Sequence, residues 1–209
     1  MRNIPALFLI AGVLIAVPAQ AAKEHAAAPA TTDKASFLQA RASELTGKPV
    51  VNPQGESLGR IEDLIIDVRR GAVQYAVVSF GGKLRLGHKL YVFPLNAFTR
   101  GENRDRVVLN AEPEALRQAQ GFNKDNWPFD PPLRRATELR GKNVKDSDGK
   151  TAGEIEDLVV HMGSGRIEQV ILAQNGRKGP DPKKALPLQA FQIAPQRGGE
   201  VVLREPNRR

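Results

Sequence analysis

The chain repeats itself. Residues 42–71 read ASELTGKPVVNPQGESLGRIEDLIIDVRRG and residues 136–165 read ATELRGKNVKDSDGKTAGEIEDLVVHMGSG, an ungapped self-match in which Ala42 falls on Ala136 and Gly71 on Gly165. Ala42, Glu44, Leu45, Gly47, Lys48, Val50, Gly55, Gly59, Ile61, Glu62, Asp63, Leu64 and Gly71 all recur in phase. The match fades through VQYAVVS against IEQVILA, then returns as VFPLNAF against ALPLQAF. A fixed-period self-match is the signature of a duplicated structural unit. The chain therefore reads as two copies of one small domain, residues 41–110 and 136–205.

Each copy reads as short strands separated by turns, with no helical pattern of useful length. Lys48–Asn52 and Lys142–Lys145 are the first-strand candidates, followed by turns at Gly55 and Gly149. The strongest strands are Ile61–Val68 and Ile155–Met162, with return strands Val73–Phe80 and Ile167–Ala173. Gly71 and Gly165 suit the positive φ of the hairpins between them. Leu64, Ile66 and Val68 share one strand face, whereas Ile61 is out of phase with them, so a bulge or sharp bend is expected around Glu62 and Asp63. Continuous apolar runs such as Leu64-Ile65-Ile66 imply packing on both faces, and a coiled sheet closed into a small barrel satisfies both features. The expected fold class is all-β: two small β-barrels in tandem. A core of this size is marginal alone, so contact between the copies is expected.

Residues 111–135 join the copies. Pro113 and Gly121 frame a helix of about two turns around Leu116, and Phe122, Trp127 and Phe129 follow among prolines. So aromatic a linker is expected to pack against one or both barrels, with Trp127 as a filler of a core or interface.

The N-terminus reads as an export signal. Arg2 precedes an uncharged apolar run from Ile4 to Val17, and Ala19 and Ala21 fit the small-residue positions of a signal-peptidase site. That run is shorter than the roughly 20 residues of a spanning helix. Residues 1–21 are expected to be removed, residues 22–40 to form a flexible leader and 206–209 a tail. The mature protein is expected in the periplasm or secreted from a bacterium, with no transmembrane span.

At this point the residues resemble a known family. Gly55, Leu58, Gly59, Ile61, Asp63, Leu64 and Asp67, followed by Gly71, are similar to the PRC-barrel motif; the second copy has Gly149, Ala152, Gly153, Ile155, Asp157 and Leu158, with His161 in place of Asp67. The PRC-barrel is the small β-barrel of the cytoplasmic part of the photosynthetic reaction centre H subunit and of the C-terminal domain of a ribosome maturation factor. The resemblance implies a docking and regulatory fold, commonly without catalytic residues of its own.

The candidate chemistry agrees with that. Cysteine is absent and the three histidines, His25, His88 and His161, are scattered, so no cofactor or metal is expected. Glu62-Asp63 and Glu156-Asp157 are read as structural, through capping or ion pairing, because adjacent strand residues point to opposite faces. Asp146-Ser147-Asp148-Gly149 resembles a calcium loop, but with Gly149 at its glycine position the first ligand falls on Val144 and the closing glutamate on Ile155. The chain carries 31 Lys and Arg against 23 Asp and Glu, a net charge of +8. After each return strand comes a basic loop: Lys83, Arg85, His88 and Lys89 in copy 1, and Arg177, Lys178, Lys183 and Lys184 in copy 2. These are the candidate sites for an anionic partner. The expected function is a non-enzymatic exported protein that binds or scaffolds an envelope protein or anionic membrane surface. Nucleic acid is not expected. The alternatives are an accessory cap or assembly subunit of a membrane energy-transducing complex and, less favoured, a carboxylate-dependent enzyme.

Overall fold

The computed structural model describes residues 39–80, 89–101, 105–173, 184–196 and 198–204. They are mostly β. In copy 1, β2 (Pro49–Val51), β3 (Ser57–Asp67), β4 (Ala72–Phe80), β5 (Lys89–Pro94), β6 (Phe98–Arg100) and β7 (Val107–Leu109) form one sheet in the order β5-β4-β3-β2-β7-β6. In copy 2, β9 (Asn143–Lys145), β10 (Thr151–His161), β11 (Ile167–Ala173), β12 (Lys184–Leu186), β13 (Phe191–Ile193) and β14 (Val201–Leu203) follow the same path, β12-β11-β10-β9-β14-β13. The duplication in sequence is thus a duplication in topology, down to the single parallel pairing in each sheet, β2 with β7 and β9 with β14.

The seventh strand of each sheet comes from the other copy. β3 is 11 residues long, while its partner β2 reaches only from Arg60 to Ser57, so the end of β3 has an open edge on that side. β8 (Leu133–Arg135), which leads into copy 2, fills it with pairings Ile65 to Arg135 and Asp67 to Leu133. Reciprocally, β1 (Gln39–Arg41), which leads into copy 1, pairs with β10 through Gln39 to His161 and Arg41 to Val159. Each exchanged strand runs straight into a one-turn helix, α1 (Ala42–Leu45) after β1 and α3 (Ala136–Leu139) after β8. Exposed strand edges invite unwanted pairing, and each copy covers its neighbour's edge. β1 begins at Gln39, inside the span expected to be leader, and the one-turn helices stand where no helix was expected.

The copies share one hydrophobic cluster. Leu45, Leu58, Ile61, Leu64 and Val78 of copy 1 belong with Leu139, Ile155, Leu158, Val170 and Val201 of copy 2, all at most 2% exposed. The sequence suggests two barrels, each enclosing its own aliphatic residues; the buried cluster instead runs continuously through the two copies. Half-cores of this size gain from such fusion, because buried fraction rises with chain length.

The bend expected near Glu62 is a β-bulge. The register of β3 on β4 slips between Ile61 and Asp63, and that of β10 on β11 between Ile155 and Asp157. The extra residue restores Ile61 to the face of Leu64, so both enter the core despite their spacing. Gly59 fixes the start of that bend: at φ +130°, a Cβ there would lie 2.0 Å from the Ser79 carbonyl oxygen. Gly153 repeats the arrangement, with 2.7 Å to the Ala173 oxygen.

The linker packs on copy 1. α2 (Pro113–Gln118) buries Leu116, whose carbonyl accepts a hydrogen bond from the Tyr91 hydroxyl at 2.5 Å. Phe122, Trp127 and Phe129 then cover Ile65, Val77 and Leu90 on the outer sheet face, and the Arg135 guanidinium stacks over Trp127 at 4.8 Å.

Candidate functional site

The acidic pairs divide their labour. Asp63 lies on the bulge with 2% exposure and faces the other copy. Its Oδ1 accepts from Leu64 N at 2.8 Å and from Thr137 N at 3.2 Å, while Oδ2 accepts from the Thr137 hydroxyl. Asp157 does the same in reverse: Oδ1 accepts from Leu158 N at 2.9 Å and Ser43 N at 3.1 Å, and Oδ2 from the Ser43 hydroxyl. Each aspartate thus caps the first turn of the helix belonging to the opposite copy, satisfying amide protons that a one-turn helix cannot pair internally. Burial pushes the Asp63 carboxyl above the ordinary aspartate range, and the hydrogen bonds from Thr137 and Leu64 together with the Arg135 charge oppose that rise.

In copy 1 the neighbouring Glu62 pairs with Lys124 of the linker, so the adjacent carboxylates Glu62 and Asp63 take separate partners. In copy 2 the Glu156 backbone carbonyl accepts from Arg140 Nε at 3.2 Å. Asp146 turns inward on its own loop, where Oδ1 accepts from Asp148 N at 3.0 Å and Lys150 N at 2.8 Å. Its counterpart Asn52 accepts from Glu56 N at 2.8 Å, so both copies use this position to hold a turn, with Gly55 and Gly149 at positive φ beside it. Among the described residues, no group of three or more His, Asp or Glu is placed to hold a metal ion.

The hairpin glycines join the copies. Gly71 at φ +67° and Gly165 at φ +72° close the β3–β4 and β10–β11 turns. Their carbonyls then bond across the divide: Gly165 O accepts from Val73 N at 2.7 Å, and Gly71 O from Ile167 N at 2.9 Å. A Cβ on Gly165 would sit 2.4 Å from the Val73 oxygen. Asp67 and His161 play one part with different chemistry. Asp67 Oδ1 accepts from Arg69 N and Arg70 N at 2.9 and 3.0 Å, and His161 Nδ1 from Ser164 N at 3.2 Å.

A buried charge was not foreseen in the sequence. Arg134 of β8 is 1% exposed, and its Nη1 donates to the carbonyls of Ala194 and Gln196 at 2.9 and 3.0 Å. It ties the exchanged strand, while on copy 1's sheet, back to copy 2. Copy 1 has Ala40 at the matching position, so self-comparison marks this residue only as a difference.

Of the basic loops, Lys89 and Lys184 are exposed at the starts of β5 and β12. Lys83, Arg85, His88, Arg177, Lys178 and Lys183 lie outside the described residues.

The PRC-barrel domain model matches residues 39–116 and 131–207, the two sheets with their exchanged arms. The chain belongs to the PRC-barrel family. No curated protein matches it. The matched spans include β1 and β8, which precede Ala42 and Ala136 where the self-match begins. PRC-barrel domains are generally non-catalytic, and here the family's acidic bend serves to join domains. Among the described residues no helix is long and apolar enough to cross a membrane.

Proposed function

We propose that this PRC-barrel protein is an exported, non-enzymatic scaffold that docks an envelope component, with each copy closing into a small barrel and the basic loops receiving an anionic protein surface or membrane. The observation that carries this reading is the reciprocal capping of Ser43 by Asp157 and Thr137 by Asp63. It spends the most conspicuous carboxylates on holding two domains in fixed relation, which suits a docking body more than an enzyme. The loops from Lys83 to Lys89 and from Arg177 to Lys184 then supply the charge that steers an acidic partner. Removal of residues 1–21 delivers the chain to the envelope, with the mature protein starting at Ala22.

Crosslinking in the native envelope, followed by identification of the attached molecule, tests the reading. Capture of a defined envelope component, weakened when Lys83, Arg85, Lys183 and Lys184 are replaced by glutamine, is the expected result. Capture unaffected by those four substitutions would refute the basic-loop assignment, and an intact N-terminus on cytoplasmic protein would refute export.

A further inference from the structure

A cleft of about 210 Å³ lies where the copy 1 hairpin turn meets copy 2, with Arg69, Arg70 and Arg204 around Leu188, Phe191 and Ile193. We propose that this cleft binds a phosphoryl group through the three arginines. Its three arginines are none of the basic-loop residues, and purified protein tests the site without any envelope component.

The related cleft on the opposite side shows that the arginines are not demanded by the fold. It is formed by the copy 2 hairpin turn against copy 1, measures about 320 Å³, and has Gly163 and Ser164 where the first has Arg69 and Arg70. Asn96 and Gln74 complete a lining without a charged side chain. Both turns make the same cross-copy backbone bonds through Gly71 and Gly165, so the interlock forms equally well with neutral residues.

Among the described residues the local charge is unbalanced. Asp67 is the carboxylate at the turn; it is held by the Arg69 and Arg70 amides and lies 3.5 Å from Arg70 Nε. Among the described residues no carboxylate pairs with Arg69 or Arg204. Like charges gathered at one cleft repel one another, and an anion relieves that repulsion. All three are arginines, whose planar forks match oxyanions in a bidentate fashion that lysine cannot reproduce. A phosphoryl group offers three strong acceptor oxygens and up to two charges for the guanidinium forks to share, whereas a carboxylate offers two oxygens and one charge. The cleft is smaller than the roughly 300–1,000 Å³ of sites that enclose whole drug-sized ligands, so it suits a phosphoryl end group.

The test is amide NMR on the mature chain, titrated with inorganic phosphate and pyrophosphate, beside co-sedimentation with phosphatidylcholine vesicles containing phosphatidic acid. Saturable shifts at the amides of Arg69, Arg70, Gly71 and Arg204, weakened at least tenfold in R69Q/R204Q, are expected. Both replaced side chains are exposed, so the variant keeps its fold, and a dispersed amide spectrum verifies this. Saturation by free phosphate without vesicle binding assigns a soluble phosphoryl ligand; vesicle binding that needs Arg69 and Arg204 assigns a lipid headgroup. Absence of saturable shifts together with absence of arginine-dependent vesicle binding overturns the proposal, as does equal binding by the variant.

Discussion

The two copies agree in the caps, arms and glycine bonds that lock them together and differ in the turns and faces around that lock. Asp63 with Thr137 matches Asp157 with Ser43, β8 on β3 matches β1 on β10, and Gly71 matches Gly165. Around that joint, Asp67, Arg69 and Arg70 stand where copy 2 has His161, Gly163 and Ser164, and buried Arg134 stands where copy 1 has Ala40. Ile65, Val77 and Leu90 lie under the aromatic linker, while Ile171, the counterpart of Val77, is buried outside the shared hydrophobic cluster. The comparison teaches that the joint imposes a common set of residues, because each copy supplies the strand and helix that complete the other. The outer faces carry no such reciprocal demand and are free to acquire separate roles.

Separating the copies breaks the comparison most severely. Residues 39–130 alone lack β8, leaving the end of β3 open and Asp63 without Thr137; residues 131–209 alone lack β1 and Ser43. Neither piece is expected to show a cooperative urea transition by circular dichroism, and mixing them is expected to restore one. A cooperative transition in either piece by itself would make the exchanged arms dispensable. Next in size come Gly59→Ala and Gly153→Ala. A Cβ at Gly59 meets backbone oxygen at 2.0 Å and one at Gly153 meets it at 2.7 Å, both at positive φ. We expect losses above about 4 kcal/mol and of about 2–3 kcal/mol respectively, read from urea midpoints. Equal losses would mean that the two bends differ less than their geometry implies.

Trp127→Ala tests the outward difference. It opens the layer over Ile65, Val77 and Leu90, all 0% exposed, and removes the ring beneath Arg135. Large-to-small replacement of a packed tryptophan costs about 3 kcal/mol, somewhat less where the ring is half-buried. Hydrogen exchange is expected to rise in β3, β4 and β5 while β10 and β11 keep their protection. Equal loosening of both sheets would show that the linker supports the joint as well as the face.

The strands, the bulge and the hairpin glycines were legible because each is written locally. Alternation gives the strand faces, the phase break at Ile61 gives the bulge, and Gly71 marks the turn. The exchange of arms was not legible. β1 and β8 are three residues each, too short for a periodic signal, and hydrophobic patterning does not state which of two identical sheets a strand will join. A trace existed in the paired ASEL and ATEL segments, where Ser43 and Thr137 each carry a hydroxyl at the second helical position. The partners of those hydroxyls, Asp157 and Asp63, are 114 and 74 residues away, so local spacing could mark the acidic bends as structural without naming what they hold. Arg69, Arg70 and Arg204 were equally opaque, since only the packed copies bring the chain end beside the first hairpin.

The smallest effect expected is at the Asp63 cap. Asp63→Asn keeps an acceptor for Thr137 N but puts an amide nitrogen where Oδ2 accepts from the Thr137 hydroxyl, at a cost of about 1–2 kcal/mol. The pH dependence follows from the raised carboxyl of Asp63. A carboxyl whose pKa is higher folded than unfolded binds more protons in the folded state between those two values, so its contribution to stability is greatest below the unfolded value and is lost as pH rises through the folded one. Unfolding free energy of the parent protein should therefore fall, relative to Asp63→Asn, as pH rises from about 4 through the folded pKa, and the difference should level off above it. Urea titrations of both proteins across that range give the comparison directly. A difference that grows in favour of the parent as pH rises would mean that the hydrogen bonds from Thr137 and Leu64 outweigh burial, which would make the cap a carboxylate held ionised by its partners.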